Sequence, residues 1–149
     1  MRTDFFLTPA TAADAEDYSR IGRLCLSRFN TVTTNPTEIE EEIRGSVTYM
    51  IRVQGRSIGF VSYVSCQVNH AYISEVQIEP NFRGKGIGSD VLSGILRKLK
   101  EIEIVDLHTH PENPAQRLYR RLGFRETGEV LENYHDTGEP RMRMLLVRE

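Results

Sequence analysis

Residues 75–99 constrain this chain more than any other stretch. Glu75-Val-Gln-Ile-Glu-Pro-Asn-Phe-Arg-Gly-Lys-Gly-Ile-Gly-Ser89 runs from an apolar strand that ends at Pro80 into glycines at 84, 86 and 88. Ile87, Val91, Leu92, Ile95, Leu96 and Leu99 follow at spacings of 4, 1, 3, 1 and 3, which is the period of one helical face. The order is therefore strand, glycine-rich loop, helix. A helix start presents unpaired N–H groups and the positive end of a macrodipole, about half a unit charge. Glycines let the main chain approach an anion closely, and Arg83 and Lys85 add full positive charges. The stretch predicts a phosphate cradle made mostly of main chain.

Two common phosphate loops do not fit. A Walker loop needs a Gly four residues ahead of Gly-Lys-Ser/Thr, but residue 79 is Glu and residue 86 is Gly. A dinucleotide fingerprint needs Gly-x-Gly-x-x-Gly, but counting from Gly84 or Gly86 puts Ser89 or Val91 in the last place. What remains is Arg83-Gly84-Lys85-Gly86-Ile87-Gly88 after Val76-x-Ile78-x-Pro80. It resembles the Arg/Gln-x-x-Gly-x-Gly/Ala pyrophosphate loop of the GNAT superfamily, the acetyl-CoA-dependent N-acetyltransferases. The alternative is a glycine-rich turn without a ligand.

The chain in order supports one domain over residues 1–149. Phe5-Phe6-Leu7 predicts a first strand. Thr11 with Asp14 three residues on can cap a helix, whose stripe of Ala15, Tyr18, Ile21, Leu24, Cys25 and Phe29 runs to about residue 28. Asn35-Pro36 is a cap followed by Pro at the first helical position, with Ile39 and Ile43 as the apolar seam and Gly45 as the end. Glu38, Glu40, Glu41 and Glu42 on this helix form a solvated face near a positive dipole end, or help attract a cationic substrate. Residues 48–53, 58–66 and 69–78 predict three strands of an antiparallel meander, with Gln54-Gly55-Arg56 as a tight turn. After the helix at about 86–100, residues 102–109 predict a strand joined by a right-handed crossover to a parallel neighbour. Asn113 can cap a fourth helix and Pro114 fits its first position. Ala115, Leu118, Tyr119 and Leu122 form its inner face, and Gly123 its left-handed end. Strands at 124–130 and 142–147 finish the chain.

Ala115-x-x-Leu118-Tyr119-x-x-x-Gly123-Phe124 resembles a second GNAT signature, far from the first. The order β-α-α-β-β-β-α-β-α-β-β resembles the GNAT layout over nearly the whole chain. The resemblance implies an α/β fold: a mixed, mostly antiparallel sheet of six to seven strands with four helices, in which strands 4 and 5 are parallel and splayed.

Composition narrows the function classes. Nineteen basic against 21 acidic residues leave a net charge of −2, with no basic surplus to neutralise nucleic-acid phosphates. No apolar run approaches the roughly 20 residues that span a bilayer, and the N-terminus lacks the long apolar segment of a signal peptide. Cys25 and Cys66 have no CxxC spacing and predict two reduced thiols in a cytoplasmic protein. No nucleic acid, membrane or metal partner is expected. His108-x-His110 on a strand points both rings to one face, but no clear third ligand accompanies them. GNAT members often dimerise, so the resemblance leaves a homodimer open.

The resemblance also implies the site. Main-chain groups from Arg83, Gly84, Lys85, Gly86, Ile87, Gly88 and Ser89 would hold the CoA pyrophosphate. The free main chain of Val76, Gln77 and Ile78 would take the pantetheine arm, and the N–H of Val76 or Gln77 would polarise the thioester carbonyl. Asn113 matches a CoA-contacting Asn, with Glu112 competing because the Asn-to-Tyr spacing is one residue shorter than the common form. Tyr119 matches the tyrosine that faces the CoA sulfur and can protonate the departing thiolate; a packed inner-face tyrosine is the alternative. Glu75 is a base candidate acting directly or through water, or else a structural carboxylate. His108, with a pKa suited to neutral pH, is the second. Tyr134, in the loop at 132–141, would bind the acceptor backbone or cover the sheet edge. The expected reaction moves an acetyl group from acetyl-CoA to a primary amine without an acyl-enzyme. A protein or peptide amine is favoured over a small-molecule amine, and a non-catalytic CoA-binding sensor or a longer acyl-CoA is the rival.

Overall fold

The computed structural model describes residues 3–148. The elements are β1 (Phe6–Pro9), α1 (Ala15–Cys25), α2 (Pro36–Gly45), β2 (Val47–Val53), β3 (Arg56–Gln67), β4 (His70–Ile78), α3 (Ile87–Lys98), β5 (Ile104–Thr109), α4 (Gln116–Arg121), β6 (Arg125–Leu131) and β7 (Arg141–Val147). The seven strands form one sheet in the order β1-β2-β3-β4-β5-β7-β6. Every neighbouring pair is antiparallel except β4 and β5. The mixed sheet with four α-helices is the expected architecture.

The helices pack on opposite faces. On one face, α3 buries Ile87, Val91, Leu92 and Ile95 in a cluster with Val105 and Phe124, each worth about 1.5–3 kcal/mol. On the other, α1 and α2 bury Ile21 and Ile39 around Met50 and Phe60. Tyr18 stacks on Phe60 with centroids 3.7 Å apart and planes 15° apart, a contact that locks α1 to β3 beyond simple burial. The cap of α2 is as expected: Asn35 Oδ1 accepts from the N–H groups of Thr37 and Glu38.

Two helix limits differ from expectation. The first helix stops at Cys25, because Leu26 turns extended (ψ 129°) and Asn30 Nδ2 donates to the Cys25 carbonyl. Phe29 leaves the stripe to pack edge-on against His110, 4.8 Å between centroids. The fourth helix begins at Gln116. Asn113 Oδ1 accepts from the Ala115 N–H at 2.9 Å, so it closes a local turn ahead of the helix and does not cap it.

The feature that positions the site is the splay between β4 and β5. They pair only over His70–Tyr72 against Ile104–Asp106. At the paired end, buried Asp106 accepts from Arg143 Nε at 2.7 Å and bonds His70 Nε2 at 2.7 Å, a clamp across β4, β5 and β7. Beyond Tyr72 the register against β3 slips by one residue, from Tyr63↔Ile73 to Ser62↔Glu75. Ser74 is the extra residue of this bulge, which turns the strand and leaves the β5-facing edge of Val76–Ile78 without a strand partner. Among the described residues no helix is long and apolar enough to cross a membrane.

Candidate active site

The glycine loop takes the form that the sequence demands. Gly84 and Gly86 have φ of +75° and +83°, left-handed values that cost a residue with a Cβ about 1–2 kcal/mol. Gly86 precedes α3 without any side-chain cap, so the first-turn N–H groups of the helix have no side-chain acceptor. Arg83 folds back along the open edge of β4, where its Nε donates to the Ile78 carbonyl at 3.0 Å. The buried thiol of Cys25 approaches the same oxygen at 3.4 Å.

A groove of about 750 Å³ runs from this loop along β4 to α4. Val76, Gln77, Ile78, Arg83, Gly84, Gly86, Gly88, Ser89 and Asn113 line it. Ile87 and Lys85 do not. The Ile87 side chain is fully buried in the core, and Lys85 extends over the Phe82 ring, 5.5 Å from its centroid. Asn113 lines the groove, whereas the exposed Glu112 carboxylate pairs with Arg28 at 2.8 Å.

The groove narrows at the splay into a neck of about 60 Å³. Here the fold brings together the three catalytic candidates. Glu75 comes from β4, His108 from β5 and Tyr119 from α4, and all three line the neck with Tyr72, Tyr134 and Arg141. Tyr119 makes no side-chain hydrogen bond among the described residues. Its phenol is pushed up to about 12 by burial and by the nearby Glu75 carboxylate, so it is a neutral proton donor. Burial, then Glu42, push the Glu75 carboxyl well above the usual carboxylate range, against a hydrogen bond from Gln77 that lowers it. Its Oε2 is buried without a hydrogen-bond partner. His108 Nδ1 bonds the Tyr72 hydroxyl at 2.8 Å, and burial lowers its pKa, keeping the ring neutral.

Past the neck lies a third cavity of about 550 Å³, between the loop at 31–35, α2 and β4. It is acidic and aromatic: Glu38, Glu42, Glu75, Tyr72 and Tyr134 line it. The 132–140 segment that carries Tyr134 is tied down at its base. His110 Nε2 bonds Glu139 Oε2 at 2.9 Å, the Tyr134 N–H donates to the Glu139 carbonyl at 3.0 Å, and the Arg141 guanidinium sits 5.2 Å from the Tyr134 centroid. His108 and His110 thus have separate partners. Among the described residues, no group of three His, Cys, Asp or Glu side chains could hold a metal ion.

The acetyltransferase (GNAT) family model matches residues 16–124. The chain belongs to this family. A protein acetyltransferase of Mycobacterium tuberculosis, described as similar to GCN5, is 35% identical over 51% of this chain and 37% of its own. The chain spans about two fifths of the length of the curated relatives it matches. Among solved structures, Ard1 of Thermoplasma volcanium superposes with a TM-score of 0.83 at 21% identity, over 97% of this chain and 98% of that one. A GNAT acetyltransferase of Elizabethkingia anophelis with acetyl-CoA bound superposes with a TM-score of 0.77 at 17% identity, over 97% and 98% of the two chains.

Sequence reading missed Tyr72, Arg141 and the His110–Glu139 tie. Tyr72 carried a usable signal, since a tyrosine beside the splay on β4 can reach β5. Arg141 and Glu139 had none, because their partners lie 7 to 110 residues away along the chain.

Proposed function

We propose that the protein acetylates a primary amine with acetyl-CoA, by direct attack within a ternary complex. One observation carries this reading: a long groove beginning at a glycine-capped helix start and an acidic cavity meet end to end at a neck that holds Glu75 and Tyr119. The family uses acetyl-CoA, and the groove fits it. The loop at 83–89 offers main-chain N–H groups to the pyrophosphate, and the open edge of Val76–Ile78 offers hydrogen bonds to an extended amide arm.

The acetyl-CoA supplies the activated acyl group. Glu75, directly or through a water, takes a proton from the acceptor ammonium, and its raised pKa brings its basicity toward neutral pH. The freed amine attacks the acyl carbon. The Val76 or Gln77 N–H steadies the oxygen as it becomes negative. The C–S bond breaks as Tyr119 gives its proton to the leaving sulfur, and the second proton of the attacking nitrogen restores the Tyr119 phenol. His108, neutral and bonded to Tyr72, holds the wall opposite Glu75 and is the alternative proton acceptor. A protein or peptide amine is the favoured acceptor, supported by the tethered Tyr134 loop beside the neck and by the protein acetyltransferase among the relatives. The two unpaired cysteines accord with a cytoplasmic setting.

CoA release from acetyl-CoA should follow with some member of a panel of N-terminal peptides, lysine peptides and small amines. In Glu75→Gln, Tyr119→Phe and His108→Ala combined, turnover should vanish while CoA still binds. A protein that binds CoA but turns over no amine would be a sensor, and one that binds no CoA would overturn the reading of the loop.

A further inference from the structure

We propose that the acceptor is a dication: a primary amine whose own molecule carries a second positive nitrogen, held between α2 and β4 by Glu38 and Glu42. This rests on the acetyltransferase reading above and specifies its substrate class.

The enclosed acids elsewhere in the chain are neutralised. Asp14 pairs with Arg52 at 2.9 Å, Glu79 with Arg20 and Arg56 at 3.0 Å each, and Asp106 with Arg143 at 2.7 Å. Of the acids that line the third cavity, Glu75 is largely enclosed, whereas Glu38 and Glu42 stand exposed on α2. Among the described residues no Lys, Arg or His forms an ion pair with Glu38, Glu42 or Glu75. Glu38 and Glu42 stand four residues apart on α2, a spacing at which like charges destabilise a helix. Both line the cavity that Glu75 reaches from β4.

Glu75 adds a second observation. Its Oε2 is buried and unpartnered at the place where the cavity and the neck join. A buried carboxylate oxygen without a donor is costly, and a bound ammonium would satisfy it. Glu42 is positioned for a second cation. The Tyr18 hydroxyl donates to Glu42 Oε2 at 2.9 Å, and Tyr18 is itself fixed by its stack on Phe60. Tyr72 and Tyr134 supply aromatic walls of the kind that favour ammonium groups. Few basic side chains lie near this space: His135 lines the cavity, and Arg141 packs on Tyr134 at the neck. A concave acidic wall of this kind concentrates cations.

Two sources share the chemistry: a free diamine or polyamine, and a peptide amine next to a basic side chain. The test compares kcat/KM for matched pairs, cadaverine against pentylamine and an N-terminal peptide with Lys at its second position against one with norleucine there. The dication of at least one pair should win by roughly tenfold at low salt, and which pair it is names the source. The advantage should shrink toward unity in 1 M salt and in the Glu38→Gln/Glu42→Gln variant. Equal rates for both members of both pairs, or an advantage unchanged in the double variant, would overturn the proposal. Calorimetric titration of cadaverine and of the Lys peptide into protein saturated with unreactive desulfo-CoA separates the two readings. Salt-sensitive binding that the double variant loses, with no turnover of any amine, supports the dication site and sinks the acetyltransferase. Turnover of neutral amines as fast as dications does the reverse. Glu38→Gln alone, at an exposed position, keeps the Tyr18–Glu42 bond and should lower the advantage part-way, guarding against a folding defect in the pair.

Discussion

The groove on one side of the neck and the cavity on the other are made of different materials. The groove is main chain: a left-handed glycine loop, a helix start and an open strand edge. The cavity is side chain: carboxylates and phenols from α2, β4 and the 132–140 segment. On the proposed reading, the main-chain site would bind what every acyl-CoA has in common, the phosphates and the amide arm, and would tolerate side-chain change as long as the backbone angles hold. The side-chain site would bind what differs between acceptors. The two halves should therefore respond to mutation in different ways.

The largest expected effect is at their junction. Glu75→Gln should lower kcat by about 10²–10⁴, the usual worth of a general base, with acetyl-CoA affinity unchanged; a variant that retains full kcat would move the base role to His108. Tyr119→Phe should cost less, on the order of 10² in kcat, and the loss should be smallest with a thioester whose thiol is more acidic, because that leaving group needs a proton least. Gly86→Val should sharpen the contrast between the halves. Its strain of about 1–2 kcal/mol should weaken acetyl-CoA binding by roughly tenfold and leave the preference among acceptors untouched.

The smallest effect is on stability, and its sign follows from Glu75. Burial raises the carboxyl above its ordinary value of 4.5, so between that value and the raised one the folded protein binds more protons than the unfolded chain. Stability present below pH 4.5 is then lost as pH rises through the folded value. Thermal melts of the wild type should fall over that window, and Glu75→Gln should flatten the slope and melt higher than wild type at pH 8. A wild type and variant that melt in parallel would mean that Glu75 titrates normally.

The two halves also differ in how far the sequence exposes them. The loop at 83–89 was legible because its requirement is local. Glycines at 84 and 86, a Pro before them and a helical stripe after them all act within one strand, turn and helix. Tyr119 and Asn113 were legible by resemblance, and both line the groove and the neck. Lys85 and Ile87 were expected to act through their main chain; their side chains lie elsewhere, Ile87 in the core and Lys85 over the Phe82 ring.

The cavity was not legible in this way. The acidic run on α2 admits two readings in sequence, a solvated face or a cation trap. Only the packing of α1 on β3 through Tyr18 and Phe60, 42 residues apart, brings Glu38 and Glu42 opposite Glu75. The same limit applies to Glu75 itself. Strand alternation has a period of two, and the one-residue bulge at Ser74 shifts every later face.

By itself, then, the sequence determined the order of elements, the glycine loop ahead of α3 and the family, since each depends on interactions between near neighbours: caps, periodicity and glycine angles. Tertiary structure alone decided that β4 and β5 part after Tyr72, that a bulge turns Glu75 into the gap, and that distant acids and phenols close around it. Those outcomes depend on the summed packing of both faces of the sheet, where a shift of a single residue exchanges core for cavity.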